Sequence, residues 1–250
     1  MRALHRVLLD LLYPPKCVFC GRLLERSDTA VCAHCETEIP VLDGADGVRT
    51  GHWFRTCTSC FSHEGPPREV LIRFKYQRQM YCGAFLGRRM ADCARSQLEG
   101  RFDLVTWVPV HRRRRRKRGF DQCRILAETV ARAYGTRPVN TLVKRRDSKS
   151  LTQVEGGMEV RRREVAQLYG LAVERELLKG KRVLLVDDVV TTGSTLEETS
   201  RVLRQGGASE VCCVTATKAL QKEKKSETGM TETGERRKKT ISLKKFVKER

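Results

Sequence analysis

Hydrophobic residues recur along this chain with two periods, which together predict an α/β fold. Compact apolar runs of strand length lie at residues 103–110, 182–186 and 210–216, with a shorter run at 141–144. Apolar residues spaced about every 3.6 positions predict helices at residues 66–98, 119–134 and 194–205. Strands that alternate with helices predict a mostly parallel sheet flanked by helices.

Polar segments separate these elements. Residues 111–118 are almost entirely basic and predict a charged loop, and residues 148–163 predict a mobile loop that contains Gly156–Gly157. Residues 221–250 contain almost no core-forming side chains and predict a disordered tail. Its basic residues either extend into solvent, the favoured interpretation, or form a nucleic-acid-binding arm.

Composition and charge narrow the class of partner. The 250 residues are 40% hydrophobic and 32% charged, with a formal net charge of +20. This excess predicts a polyanionic partner: nucleic acid, a phosphorylated small molecule or anionic lipid. No apolar run reaches the roughly 20 residues that span a bilayer. The N-terminal stretch before Pro14–Pro15 predicts a short amphipathic helix rather than a signal peptide, so we expect a cytoplasmic protein with reduced cysteines.

The chain has eleven cysteines, and six of them form three Cys-x-x-Cys pairs within residues 1–65. Eleven residues separate the first two pairs, a distance at which two knuckles can close a tetrahedral thiolate site around Zn²⁺. The predicted ligands are Cys17, Cys20, Cys32 and Cys35. An iron–sulfur cluster and a thioredoxin-like redox pair are less favoured alternatives.

The third pair, Cys57 and Cys60, has no partner pair. It could join His52 or His63 in a second metal site, substitute in the first, or remain as plain thiols. The isolated cysteines are predicted to be small core residues: Cys82, Cys93, Cys123, Cys212 and Cys213. Trp53 and Phe54 are predicted to pack the cysteine-rich module against the main domain.

The most specific pattern is a strand followed by two carboxylates, a hydroxyl-rich turn and a helix. Asp187 and Asp188 end the apolar run, and Thr191–Thr195 (TTGST) lead into the helix. Open α/β sheets bind ligands at the carboxyl ends of their strands. Gly193 permits a tight turn whose amides, with the helix N-terminus, attract phosphate, and Ser194 is a candidate N-cap.

The acidic pair distinguishes this segment from other phosphate-binding motifs. The segment has neither the GxxxxGK[ST] of a Walker A loop nor the GxGxxG of a dinucleotide fold. Carboxylates beside a phosphate would repel the ligand. They suit a ligand that also presents sugar hydroxyls and a divalent cation.

The string VDDVVTTGST resembles the 5-phosphoribosyl-1-pyrophosphate (PRPP) motif of type I phosphoribosyltransferases. The resemblance implies that Asp187 and Asp188 are catalytic residues facing the ribose 2′- and 3′-hydroxyls. It also implies that the Thr191–Thr195 turn takes the 5′-phosphate: Thr191, Thr192, Gly193, Ser194 and Thr195. PRPP would bind together with Mg²⁺.

Other segments make residues 8–218 similar to the ComF family of competence-associated and GntX-like proteins. These are LLYPPKCVFCG near the start, and VPVH with a basic run and RGFDQ at residues 108–122. The resemblance implies a zinc-ribbon module at 1–65, a phosphoribosyltransferase-type domain at 66–220 and a tail at 221–250. Arg118 is then the candidate pyrophosphate contact, and His111 joins the PRPP-binding set.

The family's flexible loop has a counterpart in SLTQVEGGMEVRRREV. Gln153 and Arg161 match its pattern, whereas Glu164 stands where Asn is expected and Cys123 where a small residue is usual. A loop of this kind would close over the site and exclude water. The two departures weaken any inference about loop closure and catalysis.

Two functions from different classes follow. The first is an enzyme that transfers phosphoribose to an unknown nitrogenous acceptor with release of pyrophosphate. The second is a non-catalytic, PRPP-binding factor associated with single-stranded DNA in DNA uptake. The zinc ribbon, the basic run and the basic tail slightly favour the second. A scaffold without ligand is a third option, against which the intact acidic pair and hydroxyl turn argue.

Overall fold

The computed structural model describes residues 14–26, 28–39, 41–42, 44–98, 100–146 and 168–219. Three predictions fall outside these ranges: the N-terminal helix, the tail at 221–250, and the loop at 148–163 with Gln153, Arg161 and the neighbouring Glu164. The chain divides into a small unit that ends at Val41 and a larger unit, Leu42–Ala219.

Turns and one short helix make up the described part of the small unit. Lys16 and Leu23 form an antiparallel bridge. Gly21 lies between them with φ of 74°, and its N–H donates to Cys17 O at 2.9 Å. Helix α1, Ala33–Glu38, begins after Cys32. These turns bring the first two cysteine pairs together.

A five-stranded sheet with the order β1-β2-β7-β6-β3 forms the centre of the larger unit. Its strands are β1 (Val48–Arg49), β2 (Thr56–Ser62), β3 (Leu104–Trp107), β6 (Arg182–Val190) and β7 (Glu210–Lys218). Only β1 runs antiparallel to its neighbour. Strands β4 (Leu142–Lys144) and β5 (Tyr169–Leu171) form a separate antiparallel pair. The predicted mostly parallel α/β fold is confirmed.

Six α-helices and one 3-10 helix, Arg175–Leu177, accompany the sheet in the described part of the larger unit. The α-helices are α2 (Gly44–Gly47), α3 (Gly65–Gln77), α4 (Met80–Gln97), α5 (Arg112–Arg118), α6 (Gln122–Ala133) and α7 (Ser194–Gln205). Strand β6 lies between two parallel neighbours, so its apolar half, Val183–Val186, is fully buried. That burial fixes the position of Asp187 and Asp188, which come next on the strand.

Two local features differ from the sequence-based expectation. The helical stretch at 66–98 is two helices, because Arg78 ends α3 in the left-handed region with φ of 57°. The basic segment predicted as a loop is the helix α5, capped by His111 and ended by Gly119 with φ of 88°. Arg and Lys have high helix propensity, so their charge does not prevent a helix between two caps.

The domain boundary predicted at residue 65 stays a prediction, and the compact units of the structure divide the chain at a different point. Strand β2 pairs in parallel with β7 from Thr56↔Cys212 to Ser62↔Lys218. The larger unit therefore begins at Leu42 and includes Cys57 and Cys60. Phe54 is buried in the core of the larger unit.

A substitution at Gly83 of α4 tests how α3 packs on α4. A Cβ at this position would overlap the ring of the fully buried Phe74. We expect Gly83→Ala to destabilise the protein by about 1–3 kcal/mol, because overpacking outweighs the gain in helix propensity. Thermal unfolding measures the change, and Phe74→Leu in the same chain should reduce it. A higher melting temperature for Gly83→Ala alone would contradict this packing.

Candidate functional site

The acidic pair lies at the carboxyl end of β6, between β3 and β7. Asp187 is opposite Thr215 of β7, and Val108 N–H donates to Val186 O at 2.9 Å just beyond the end of β3. Both carboxylates are buried, each residue being 7% exposed. The parallel ladder therefore places both at one edge of the sheet.

Asp188 is bonded through both oxygens. Lys75 Nζ lies 2.9 Å from Oδ1, and Gln122 Nε2 donates to Oδ2 at 2.7 Å. The Lys75 and Asp188 side chains are only 16% and 11% exposed. This is a buried ion pair between α3 and β6, supported by the first residue of α6.

Asp187 has weaker partners. Its Oδ1 accepts the Asp188 N–H at 2.8 Å and lies 3.4 Å from the Cys123 thiol, whose sulfur is 3.7 Å from Asp188 Oδ2. The ligand atoms of Cys123, Asp187 and Asp188 all lie within 4.8 Å of one another. The Lys75 ammonium already provides a cation beside this group.

The pKa values of the two carboxyl groups are shifted in opposite directions. Burial and the neighbouring Asp188 raise the pKa of Asp187 to about 7. Burial also acts to raise the pKa of Asp188, but the Lys75 charge and the hydrogen bonds from Lys75 and Gln122 outweigh it and lower that pKa. Near neutral pH, Asp188 is ionised while Asp187 exchanges a proton.

The hydroxyl-rich turn is open to a cleft. Thr192, Gly193 and Ser194 line one wall of a cavity of about 510 Å³. Gly193, with φ of 85°, is the N-cap of α7 in place of the predicted Ser194. Gly193 has no side chain to cap the helix; Thr192 Oγ1 lies 3.0 Å from Ser194 Oγ and accepts from the Ser194 N–H at 3.4 Å. Amides and hydroxyls here are arranged for an anion.

The end of β1 and the residues that follow it line the same cavity. Arg49 Nη1 donates to Thr191 O at 3.0 Å. Glu197 in the first turn of α7 accepts from His52 N at 2.9 Å and from Trp53 N at 3.0 Å. A Cβ on Gly193 would lie 3.1 Å from the Arg49 guanidinium, so a side chain there would crowd the arginine.

The predicted pyrophosphate residues lie on and beside α5. Arg118 donates to Gln122 Oε1, and its guanidinium lies 5.0 Å from the centre of the Tyr76 ring. Gln122 links Arg118 to Asp188. His111 is the N-cap of α5 and its Nδ1 accepts from Arg113 N at 3.4 Å. The structure thus brings Arg118 into the hydrogen-bonded network of the acidic pair and places His111 at the start of α5.

Sequence reasoning missed Lys75, Gln122 and Arg49. Lys75 follows the core residue Phe74 and lies one turn after Leu71, on the apolar face of α3. A lysine at such a position is rarely buried without an anionic partner, which is the signal that could have found it. Arg49 lies in a two-residue strand without a distinctive pattern.

Four cysteines of the small unit form a compact cluster. The Sγ atoms of Cys17, Cys20, Cys32 and Cys35 all lie within 4.8 Å of one another. Cys32 N–H donates to Cys17 Sγ at 3.4 Å. Burial opposes ionisation of Cys17, but the amides of Cys20, Cys32 and Phe19 lower its pKa to about 7. Four converging sulfurs, one held near its thiolate form, suit structural Zn²⁺.

Cys57 and Cys60 are not brought together. They lie three residues apart on β2, so their side chains point to opposite faces of the sheet. Cys57 joins Cys213 in one buried cluster, and Cys60 lies beside Cys93. Neither predicted histidine completes a site: His63 Nδ1 bonds Thr217 Oγ1 at 2.8 Å, and His52 packs edge-on against Trp53.

All five isolated cysteines are buried, in agreement with their predicted core role. Cys123 differs from the other four because its thiol also contacts both carboxylates of the acidic pair. In the part of the chain that the structure describes, no helix is long and apolar enough to cross a membrane.

The two cysteine groups predict different zinc contents. Cys32→Ser should lose bound zinc and destabilise the small unit, because metal binding supplies folding free energy in such modules. Cys57→Ala and Cys60→Ala should keep the zinc content of the parent protein. Metal analysis of the purified variants decides this; loss of zinc in Cys57→Ala or Cys60→Ala would show that β2 contributes ligands.

Two protein families match different parts of the chain. Residues 121–246 match the phosphoribosyl transferase domain family, and residues 8–61 match the double zinc ribbon domain. The second match includes Cys57 and Cys60, which lie in β2.

Two curated relatives resemble most of the chain. Competence protein F of Haemophilus influenzae is 28% identical over 215 residues, covering 78% of this chain and 93% of the relative. DNA utilization protein YhgH of Escherichia coli K12 is 27% identical over 203 residues, covering 78% and 86%.

A solved orotate phosphoribosyltransferase of Mycobacterium tuberculosis aligns with 74% of this chain and 81% of its own, at 19% identity and a TM-score of 0.33. At that score the assignment depends on the family match and the motif rather than on the overlay. The chain belongs to the phosphoribosyltransferase family, as a ComF-family member with an N-terminal double zinc ribbon domain.

Proposed function

We propose that this chain binds PRPP with Mg²⁺ at the carboxyl end of β6. The observation that carries the proposal is a pair of buried carboxylates adjoining an open, hydroxyl-lined turn at a helix N-terminus. A sugar phosphate fits this combination, because its phosphate and its hydroxyl groups need different hydrogen-bonding partners. Phosphate needs donors, whereas sugar hydroxyls donate to carboxylates.

The 5′-phosphate is assigned to the turn Thr191–Thr195. Its amides precede α7, where the helix dipole favours an anion. The hydroxyls of Thr192 and Ser194 lie at the cleft wall, and the Arg49 guanidinium adds positive charge close to Gly193. The acidic pair precedes the turn in the chain, with only Val189 and Val190 between them.

The pyrophosphate is assigned to the side of α5. Arg118 lies there beside Gln122, and the preceding residues Arg112–Lys117 are exposed. His111 stays a proposed member of the binding set through its position at the start of α5. Exposed cations at this end raise the local concentration of a polyanion, and Arg118 fixes its orientation.

We further propose phosphoribosyl transfer as the reaction. The bond between ribose C1 and pyrophosphate breaks, a bond from C1 to an acceptor nitrogen forms, and the acceptor proton passes to solvent. Positive charge develops on the sugar ring, so Asp187 and Asp188 stabilise it, while Arg118 meets the charge on the leaving group. Mg²⁺ bound with PRPP neutralises charge on the pyrophosphate.

Calorimetric titration with PRPP and Mg²⁺ tests the binding proposal. Asp187→Asn should weaken binding about 10- to 100-fold, because it removes hydrogen bonds to a charged acceptor. Asp46→Asn is a matched control on the exposed surface of α2 and should bind like the parent. Equal affinity in all three proteins would remove the ribose role. Pyrophosphate release with a nucleobase acceptor then distinguishes an enzyme from a factor that only binds.

A second candidate function, association with single-stranded DNA, is favoured by a basic groove. A cavity of about 1240 Å³ lies between α5, α6 and β4, with Trp107 and Phe120 among its lining. Six basic and two acidic side chains line it. The basic ones are Arg112, Arg115, Arg124, Arg132, Arg137 and Lys144. Cations beside aromatic rings suit the backbone and bases of a single strand, and the relatives' names refer to competence and DNA utilization.

Salt dependence of oligonucleotide binding tests this groove. Arg112→Gln/Arg115→Gln should weaken binding and reduce the slope of log K against log salt by about 1.4, since each phosphate contact contributes about 0.7. Lys179→Gln/Lys181→Gln removes the same charge at exposed positions outside the groove and should change the slope less. Equal slopes for both double variants would indicate non-specific attraction by the net charge.

A further inference from the structure

Lys75 is the only lysine or arginine that the structure shows in an ion pair with the acidic pair, among the residues it describes. It reaches β6 from α3, and its Nζ lies 2.9 Å from Asp188 Oδ1. With side-chain exposures of 16% and 11%, solvent screens this pair far less than a surface ion pair. The contact therefore bears directly on the charge of the site.

The bonding of the two carboxylates is unequal. Asp188 receives Lys75 on Oδ1 and Gln122 on Oδ2, and Gln122 is itself held by Arg118. Asp187 receives the Asp188 N–H and the Cys123 thiol on Oδ1. For Asp187 Oδ2 the described part of the chain supplies no hydrogen-bond donor. One carboxylate is thus bonded on both sides by the protein, and the other keeps an oxygen for a ligand.

We propose that Lys75 is a positioning residue, the fixed counter-cation that commits Asp188 to the protein and leaves Asp187 as the carboxylate that accepts the ribose hydroxyls. This inference rests on the proposed PRPP function. It assigns unequal roles within the pair and adds a residue from outside the PRPP motif.

Electrostatics supply the physical reason. Two adjacent buried carboxylates repel each other, and each is stabilised in its neutral form by burial. The Lys75 ammonium offsets one negative charge, so one carboxylate remains ionised without a second cation. Seven titratable or charged groups interact with the pair. They are Lys75 (α3), Arg118 (α5), Cys123 (α6), Tyr169 (β5), Cys57 (β2), Cys213 (β7) and His63 just after β2. Asp121, the N-cap of α6, acts on Cys123.

The pH dependence of PRPP binding follows from these charges. Ribose hydroxyls donate to an ionised carboxylate, so affinity should rise as Asp187 ionises, with a midpoint at its pKa of about 7. Removal of Lys75 takes away a cation and raises the pKa of the pair, which moves the midpoint to higher pH by about one to three units. Asp188→Asn removes the like charge while Lys75 stays, and moves the midpoint to lower pH.

His63 and Cys123 are the other titratable groups to consider beside the pair. Burial, and then the charges of Lys75 and Arg68, lower the pKa of His63. Burial raises the pKa of Cys123 well above its usual range. The phosphates of PRPP titrate equally for every variant, so differences between proteins report only on the protein.

The experiment is calorimetric titration of the full chain with PRPP and Mg²⁺ at pH values between about 6 and 9, a range that brackets the Asp187 midpoint and its shifts. The proteins are the parent, Lys75→Met, Lys75→Arg and Asp188→Asn, with Lys179→Met as the matched surface control. Lys75→Met should shift the midpoint up and bind about ten-fold more weakly than the parent near pH 7.5. Lys75→Arg should restore the midpoint, and Lys179→Met should match the parent.

Three results would overturn the inference. They are an unchanged midpoint in Lys75→Met, a loss of affinity that is uniform at every pH, and an upward or absent shift in Asp188→Asn. The Asp188→Asn result decides the matter if Lys75→Met does not fold, since this isosteric variant keeps Lys75. A parent protein that binds no PRPP at any pH instead contradicts the proposed function, so the two failures are distinct.

Discussion

Burying two adjacent carboxylates destabilises a fold unless the surrounding chain supplies charge and hydrogen bonds. Here Asp187 and Asp188 stay buried near the carboxyl end of β6, where residues from α3 and α6 contact them. The Lys75–Asp188 ion pair is the interaction on which the arrangement depends. It holds α3 at the carboxyl edge of the sheet and keeps a negative charge where the open α/β fold binds its ligands.

Groups that attract an anion lie at the same edge of the sheet as the acidic pair. The turn after β6 presents amides, hydroxyls and the start of α7. Arg49 of β1 donates to Thr191 O in this turn, and the amides of His52 and Trp53 donate to Glu197 of α7. Donors and acceptors for two parts of one ligand therefore lie on one continuous stretch of chain. Arg118 extends this arrangement towards the basic helix α5. The zinc cluster belongs to a separate unit, stabilised by its own cysteines.

Local patterns predicted what depends on local chain geometry. The sequence predicts the strand, acidic pair, turn and helix at residues 182–205 because each of these elements has a characteristic residue pattern. It predicts the first two cysteine pairs from their spacing. It does not predict the roles of Lys75, Gln122 and Arg49, because these residues lie far from the motif in the chain and reach the site only through the order of strands in the sheet. Cys57 and Cys60 show the converse: the spacing of a zinc knuckle also occurs on a strand, where it separates the sulfurs.

A crystal structure of the chain with PRPP and Mg²⁺ tests the central claim most directly. The account predicts the 5′-phosphate within hydrogen-bonding distance of the amides of Thr192–Thr195. It also predicts the ribose hydroxyls on Asp187, with Lys75 still paired to Asp188. A ligand whose phosphate lies away from this turn, or whose ribose touches neither carboxylate, would contradict it.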